Sequence, residues 1–185
     1  MLNYLNDLAP GMLRYRLARK GLLPPGLPIN LTFSVTNVCQ SRCKTCSIWE
    51  LYKDRPELRE NELTLDEIEK IFRSMGHIYV FNVSGGEPFL RPDITEIIKA
   101  ACDHLSPGVV HIPTNAIARD RVERKTKEIL EILKNNCRET QLTIKPSLDH
   151  IESKHDEIRG VPGNFKKVLD VFNRLKKMQT DYPNF

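Results

Sequence analysis

The chain has 185 residues, 40% of them hydrophobic, with 28 basic and 24 acidic side chains and a formal net charge of +4. This size supports one hydrophobic core, and no apolar run approaches the ~18 to 20 residues of a membrane span. The charge excess is too small to predict nucleic-acid binding. The N-terminus lacks the basic segment and apolar stretch of a secretory signal, so we expect a cytoplasmic protein with reduced cysteines.

Two N-terminal features precede the first predicted strand. Residues 2–20 carry Leu2, Leu5, Leu8, Met12 and Leu13 against several basic residues, which predicts an amphipathic helix. Such a helix either touches a membrane surface or covers the core, and we favour the covering role. The Pro- and Gly-rich run at 24–28 predicts a stiff linker. We therefore assign residues 1–28 to a helix and linker, and residues 29–185 to the main domain.

Strands and helices alternate from residue 29 onward. Runs rich in β-branched and aromatic residues predict strands at about 31–36, 77–83, 108–113 and 140–147. A capping box at 64–67 opens the first following helix, Pro92 starts the second, and the third lies near 119–135. The last helix has a predicted core face made of Phe165, Val168, Leu169, Phe172 and Leu175. The alternation predicts an α/β fold with a parallel sheet, whose ligands lie at the carboxyl ends of the strands.

Three cysteines follow the first strand with the spacing Cys39-x3-Cys43-x2-Cys46. This spacing lets three thiolates converge on one iron–sulfur cluster and leaves one iron without a protein ligand. A zinc site and buried thiols are the alternatives. Structural zinc needs four ligands, and no second pair follows at zinc spacing. Three buried thiols among polar neighbours are unusual. Cys102 continues the apolar side of a helix and is predicted to be core, and neither Cys102 nor Cys137 is assigned a function.

The second strand ends in Ser84-Gly85-Gly86-Glu87-Pro88. Together with the cysteine loop, and in this order, the segment resembles the radical S-adenosylmethionine (SAM) superfamily. The resemblance continues to Pro113-Thr114-Asn115 after the third strand, and to Ser147-Leu148-Asp149 and His155-Asp156-x-x-Arg159 after the fourth. It covers about residues 29–180. The second half is most similar to the branch that holds the molybdenum-cofactor cyclisation enzymes and the peptide-modifying and sulfatase-maturing enzymes.

The resemblance implies part of a radical SAM barrel in which Cys39, Cys43 and Cys46 hold a 4Fe–4S cluster. It implies that Gly85, Gly86 and Glu87 hold the ammonium of SAM, that Arg159 binds its carboxylate, and that the Ser147 hydroxyl contacts the carboxylate or the ribose. Thr114 and Asn115 are further candidate cofactor contacts, although Thr-Asn at a strand end is also typical of a plain turn. The implied reaction is reductive cleavage of SAM to a 5′-deoxyadenosyl radical, which takes hydrogen from an unknown small molecule or peptide. The implied partner is an electron donor of the flavodoxin or ferredoxin type.

Two features depart from the family's pattern. The residue before the third cysteine is usually aromatic and packs beside the cofactor, but here it is Thr45, with Trp49 as a nearby substitute. The family's partial barrel has six βα units, whereas the pattern here supplies four and ends in residues 180–185, which resemble the loop before a fifth strand. We therefore expect the front of a longer enzyme, with an open fourth-strand edge that favours a partner chain or self-association.

Three functions remain open from the sequence. The first is a radical SAM enzyme, and the second is an iron–sulfur accessory protein that keeps the thiolates but does not cleave SAM. The third is a zinc-stabilised interaction module. Metal analysis separates the third from the other two, and a cleavage assay separates the first from the second.

Overall fold

Four parallel strands alternate with helices in the computed structural model, which describes the backbone of residues 2–185 and the side chains from residue 8 onward. The strands are β1 (Asn30–Thr36), β2 (Val80–Gly85), β3 (Val109–Thr114) and β4 (Gln141–Pro146). They pair in the order β1-β2-β3-β4, and each neighbouring pair is parallel. The sheet is open, which confirms the predicted α/β fold and the partial barrel. β2 begins later than the predicted residue 77, because the Ile78 N–H donates to the Leu105 carbonyl.

The described residues form six α-helices, which are α1 (Leu2–Arg19), α2 (Leu65–Met75), α3 (Ile94–Leu105), α4 (Arg119–Asn136), α5 (Glu152–Arg159) and α6 (Asn164–Met178). Short 3-10 turns lie at Ile48–Glu50, Pro56–Asn61 and Pro88–Leu90. The predicted capping box opens α2, since the Thr64 side chain accepts from the Glu67 N–H while the Glu67 carboxylate accepts from the Thr64 N–H. α5 was not predicted as a helix.

The core lies between the sheet and the layer formed by α2, α3, α4 and α6, which pack side by side. Phe72 on α2 contacts Phe33 and Phe81 edge-on, with ring centroids 5.2 and 5.4 Å away. Such edge-to-face pairs add about 0.5–1.5 kcal/mol each to the burial of their surface. Cys102 is buried in this core, as predicted, and Cys137 packs against it. The core thus supports a parallel sheet in which the carboxyl ends of all four strands lie along the same edge.

The predicted core face of α6 is only partly right. Val168 and Leu175 are buried, whereas Leu169 and Phe172 are 41% and 52% exposed. Phe172 and Phe185 line a cavity of about 280 Å³ beside the outer edge of β4, where the Leu142 N–H donates to the Asn184 carbonyl at 2.9 Å. No described strand lies beyond β4 to cover this side of α6, so Leu169 and Phe172 of the predicted apolar face stay partly in solvent.

α1 lies near the amino-terminal ends of β1 and β2. Tyr15 donates its hydroxyl hydrogen to the Leu27 carbonyl at 3.0 Å, and Leu8 shares a cavity lining with Ile29 and Tyr79. Met12 and Leu13, predicted on the covering side, are instead more than half exposed. The predicted contributions of Leu2 and Leu5 lie outside the described side chains. Across residues 2–185, no helix combines the length and hydropathy needed to cross a bilayer.

Candidate active site

The cysteine loop follows β1 and is fixed on one side by the end of β2. The Gly86 N–H donates to the Thr36 carbonyl at 2.7 Å, and the Glu87 N–H donates to the Val38 carbonyl at 2.8 Å. A Cβ on Gly85 would lie 2.1 Å from the Thr36 oxygen, and one on Gly86 would lie 2.3 Å from the Val38 oxygen. Only glycine permits so close an approach. In the described chain, the space beside both glycines is therefore filled by the loop's own backbone.

The end of α5 fixes the loop on the other side. The Arg42 N–H donates to the Arg159 carbonyl at 3.0 Å, and the Lys44 N–H donates to the Ile158 carbonyl at 2.9 Å. These carbonyls belong to the last turn of α5, where the helix itself supplies no donors. Gly160 ends the helix with φ +64°, and a Cβ there would lie 2.4 Å from the Arg42 oxygen. The loop is thus clamped between two glycine-containing segments.

The motif cysteines differ in exposure. Cys39 and Cys43 are half-buried, whereas Cys46 is exposed. Asn115 Nδ2 lies 3.7 Å from the Cys39 sulfur, and Arg159 Nη1 lies 3.7 Å from the Cys43 sulfur. Burial raises the pKa of the Cys39 thiol. Among the side chains from residue 8 onward, no three His, Cys, Asp or Glu groups converge on a point that would hold a single metal ion, and this includes the three motif cysteines.

Glu87 lies inside the protein, with 1% of its surface exposed. Its carboxylate accepts the Asn115 N–H at 2.6 Å and the Phe89 N–H at 3.3 Å, and it is hydrogen-bonded to the Thr114 side chain. Burial raises the pKa of Glu87 to about 7, because the ionised form loses its hydration, and the accepted hydrogen bonds oppose that rise. The carboxylate therefore ties the end of β2 to the end of β3.

Thr114 and Asn115 form the turn after β3. The Thr114 hydroxyl oxygen, in a side chain that is buried, accepts the Ala116 N–H at 3.1 Å. Asn115 Oδ1 accepts the Ile117 N–H at 3.0 Å. Local side-chain bonds of this kind stabilise a turn. The structure thus brings Asn115 to the cysteine loop, while the Thr114 hydroxyl bonds to the Ala116 N–H inside the turn and to the Glu87 carboxylate.

Ser147 and Arg159 meet at the same edge of the sheet. The Ser147 N–H donates to the Thr114 carbonyl at 2.9 Å, which places the segment after β4 beside the turn after β3. The Arg159 side chain is 16% exposed and forms an ion pair with Asp149, with Nε 2.5 Å from a carboxylate oxygen. An arginine in this position can take a carboxylate in its planar fork of N–H donors. Arg159 therefore lies next to Cys43, whereas Ser147 lies beside the turn after β3.

Two buried residues that the sequence left without a role connect these turns. His155 and Asn164 are fully buried. His155 Nδ1 accepts the Asp149 N–H at 3.3 Å, so its Nε2 carries the proton in the neutral ring and lies 3.1 Å from Asn164 Oδ1. Asn164 Nδ2 then donates to the Asn115 carbonyl at 2.9 Å. This chain of bonds holds the turn after β4 in register with the turn after β3.

Glu62, which belongs to none of the predicted motifs, fixes the segment that returns from the cysteine loop. Its Oε1 accepts the Thr36 hydroxyl at 2.7 Å, the Asn37 N–H at 2.8 Å and the Tyr52 hydroxyl at 3.0 Å. A carboxylate oxygen with three donors is a strong local anchor, since bonds to charged acceptors are worth roughly twice neutral ones. The residues at the start of the loop, on the N-terminal side of the first cysteine, are therefore held in place.

Arg91 extends this anchor toward α2. Its side chain is only 8% exposed and donates to the carbonyls of Val35 at 2.9 Å and Leu63 at 2.7 Å. Its Nε lies 2.6 Å from an Asp93 oxygen, and Nη1 lies 3.7 Å from Glu62 Oε2. A buried arginine with both carbonyl and carboxylate partners connects β1 to the start of α2.

Thr45 is exposed, and Trp49 lies beneath the Arg42 guanidinium, whose central carbon is 5.5 Å from the indole centroid. This distance is within the range of a cation–π contact. The aromatic substitute suggested by the sequence is thus in contact with the loop, on the side of Arg42.

Comparison with known families matches residues 33–182 to the Radical SAM superfamily. The chain belongs to this superfamily. Streptococcus suis SuiB bound to S-adenosylmethionine is similar in structure, with a TM-score of 0.59 and 23% identity over 88% of this chain and 35% of SuiB. SuiB bound to the precursor peptide SuiA has a TM-score of 0.57 and 23% sequence identity, and the match covers 94% of this chain and 36% of SuiB. At these identities the likeness shows the fold alone, and the radical SAM chain described here spans about a third of the SuiB length.

Proposed function

We propose that Cys39, Cys43 and Cys46 bind a 4Fe–4S cluster and that the chain acts in the reductive cleavage of SAM. The observation that carries this proposal is the clamped cysteine loop, in which the Cys39 and Cys43 sulfurs each face a side-chain N–H donor. Three cysteines on one loop fit a cubane with one iron left for an external ligand, and N–H donors to the sulfurs help set its potential. When bound, the reduced cluster supplies the electron that splits SAM into methionine and a 5′-deoxyadenosyl radical.

The surrounding residues have separate binding roles in this proposal. Arg159 binds the carboxylate of SAM, and its ion pair with Asp149 supports this role because that partner is also a carboxylate. Ser147 contributes its hydroxyl to the same end of the cofactor. The segment at 85–87 binds the ammonium group, for which the buried Glu87 carboxylate supplies negative charge. Asn115, whose Nδ2 lies 3.7 Å from the Cys39 sulfur, supports the cysteine loop, and with Thr114 it is a proposed contact of SAM.

We propose a peptide as the substrate, with a small molecule as the alternative. The support is the fold likeness to SuiB, one structure of which is bound to the precursor peptide SuiA. We also propose that the electron comes from a donor of the flavodoxin or ferredoxin type.

Anaerobic reconstitution with iron and sulfide tests the proposal. We expect a brown chromophore with about four irons per chain, its loss in Cys39→Ala, Cys43→Ala and Cys46→Ala, and its retention in the matched controls Cys102→Ala and Cys137→Ala. After reduction with dithionite in the presence of SAM, chromatography would measure 5′-deoxyadenosine.

The outcomes separate the alternatives. A cluster with 5′-deoxyadenosine supports the enzyme. A cluster that never yields 5′-deoxyadenosine, even with the complementary segments added, would favour an accessory iron–sulfur protein. Stoichiometric zinc with no iron uptake would refute both and favour the interaction module.

A further inference from the structure

A cavity of about 430 Å³ lies behind the cysteine loop. Loop residues 37–42 form one wall, and side chains of the returning segment between residues 49 and 59 form the other. Its lining includes Cys39 but neither Cys43 nor Cys46, and it includes neither Arg159 nor Asn115. Two lining residues, Cys39 and Gln40, also lie 3.7 and 3.4 Å from Asn115 Nδ2, so the cavity adjoins the side of the loop that faces the strand ends. Its volume is in the range of pockets that hold small ligands.

The lining of this cavity is basic. It contains Arg42, Lys53 and Arg59 and no Asp or Glu side chain. None of the three forms an ion pair with a carboxylate of the described residues, whereas Lys44 and Arg159, which adjoin the same loop, both do. Three cations that share one concave surface raise its positive potential, and the surrounding protein focuses that potential into the cavity.

Unpaired surface lysines and arginines are common, so the decisive observation is a pair of neutral donors. Ser41 is 1% exposed, and its hydroxyl has no hydrogen-bond partner in the described chain. The Trp49 Nε1 atom is also buried and without an acceptor. Both residues line the cavity. A buried donor without an acceptor costs about 1–3 kcal/mol, so two in one cavity indicate that an acceptor binds there.

We propose that this cavity binds an anionic group, a carboxylate or a phosphate. Its oxygens would accept hydrogen bonds from the Ser41 hydroxyl and the Trp49 N–H, while Arg42, Lys53 and Arg59 balance its charge. A neutral acceptor would satisfy the two donors but would leave the three cations without a counter-charge. The site shares Cys39 with the proposed cluster site, but neither Cys43 nor Cys46 contributes to its lining.

Trp49 is the single tryptophan of the chain, so intrinsic fluorescence reports on this cavity directly. The full chain, reduced and metal-free, would be titrated with sodium phosphate, with sodium succinate and with a tetraglutamate peptide. Sodium chloride at matched ionic strength corrects for screening. We expect a saturable change in Trp49 fluorescence with at least one of the three anions. The anion that binds most tightly identifies the source as a phosphate, a small carboxylate or an acidic peptide segment.

Matched variants test the assignment. Lys53→Gln and Arg59→Gln each remove one exposed cation, and each is expected to raise the half-saturating concentration by about threefold to tenfold. Lys177→Gln on α6 removes an exposed lysine away from the cavity and should leave it unchanged. Urea midpoints equal to that of the unaltered chain show that the variants fold. A response to all three anions that equals the response to chloride overturns the proposal, as does equal affinity in all three variants. Neither result bears on cluster binding.

Discussion

The buried Glu87 carboxyl makes the stability of this fold depend on pH in a direction that is unusual for a glutamate. Its pKa is raised from 4.5 to about 7, first by burial. Between these two values the folded chain binds more protons than the unfolded chain, so the free energy of unfolding falls as pH rises. The contribution of Glu87 is fully present below pH 4.5 and is lost as pH passes through about 7. A carboxylate whose pKa is lowered by folding has the opposite effect, because it makes the free energy of unfolding rise with pH.

The magnitude follows from the shift. At 1.36 kcal/mol per pKa unit, linkage predicts a loss of about 2 kcal/mol between pH 5 and pH 7.5 from this residue alone. Glu87→Gln removes the titration but keeps the shape of the side chain. Its amide faces the same two backbone donors, so the variant also carries a pH-independent penalty of about 1–3 kcal/mol.

Urea unfolding of the reduced, metal-free chain at several pH values between 5 and 7.5 measures the effect. We expect the stability of the unaltered chain minus that of Glu87→Gln to shrink by about 2 kcal/mol over this range. The exposed Glu139→Gln is the control for the loss of one carboxylate. A difference that stays constant with pH would refute the raised pKa, and one that grows would show that the accepted hydrogen bonds outweigh burial.

Three further outcomes are expected. Arg159→Ala should weaken SAM binding to the reconstituted chain by ~1.5 to 3 kcal/mol in calorimetry, and an unchanged Kd would remove Arg159 from the site. Arg91→Ala should lower the free energy of unfolding by about 3 kcal/mol, because buried carbonyls and a carboxylate lose their donor. The control Arg73→Ala breaks an exposed ion pair on α2 and should lower the free energy of unfolding by less than about 1 kcal/mol. Phe172→Ser should reduce concentration-dependent self-association in sedimentation, and an unchanged profile would locate the contact away from the β4 edge.

The sequence was sufficient to predict which strand ends form the site, because the positions of the strands depend on chain order and periodicity. Alternating strands and helices require a parallel sheet, and a parallel sheet places all its carboxyl ends at one edge. Cys39, Gly86, Asn115 and Ser147 each follow a strand, so their proximity was predictable without coordinates. The match to the Radical SAM superfamily confirms the predicted family, and the four-stranded parallel sheet confirms the predicted fold.

The parts that could not be predicted depend on which side chains meet in three dimensions. The His155 and Asn164 pair and the Glu62 and Arg91 anchor join elements with no shared pattern in the sequence. The exposure of Phe172 was missed for a different reason. Periodicity identifies an apolar face, but only the sheet shows whether a strand lies opposite to cover it.

The clamp on the cysteine loop has a consequence for the order in which the protein matures. The carbonyls that hold Arg42 and Lys44 belong to Arg159 and Ile158, more than a hundred residues later in the chain. During synthesis the three cysteines therefore emerge long before the helix that shapes their loop, and contacts of such sequence separation form late. We expect iron to be loaded stably only after α5 has docked. A ribosome-bound chain that ends before residue 158 would then expose three reduced thiols without a defined loop, and it would depend on a reducing environment until the helix arrives.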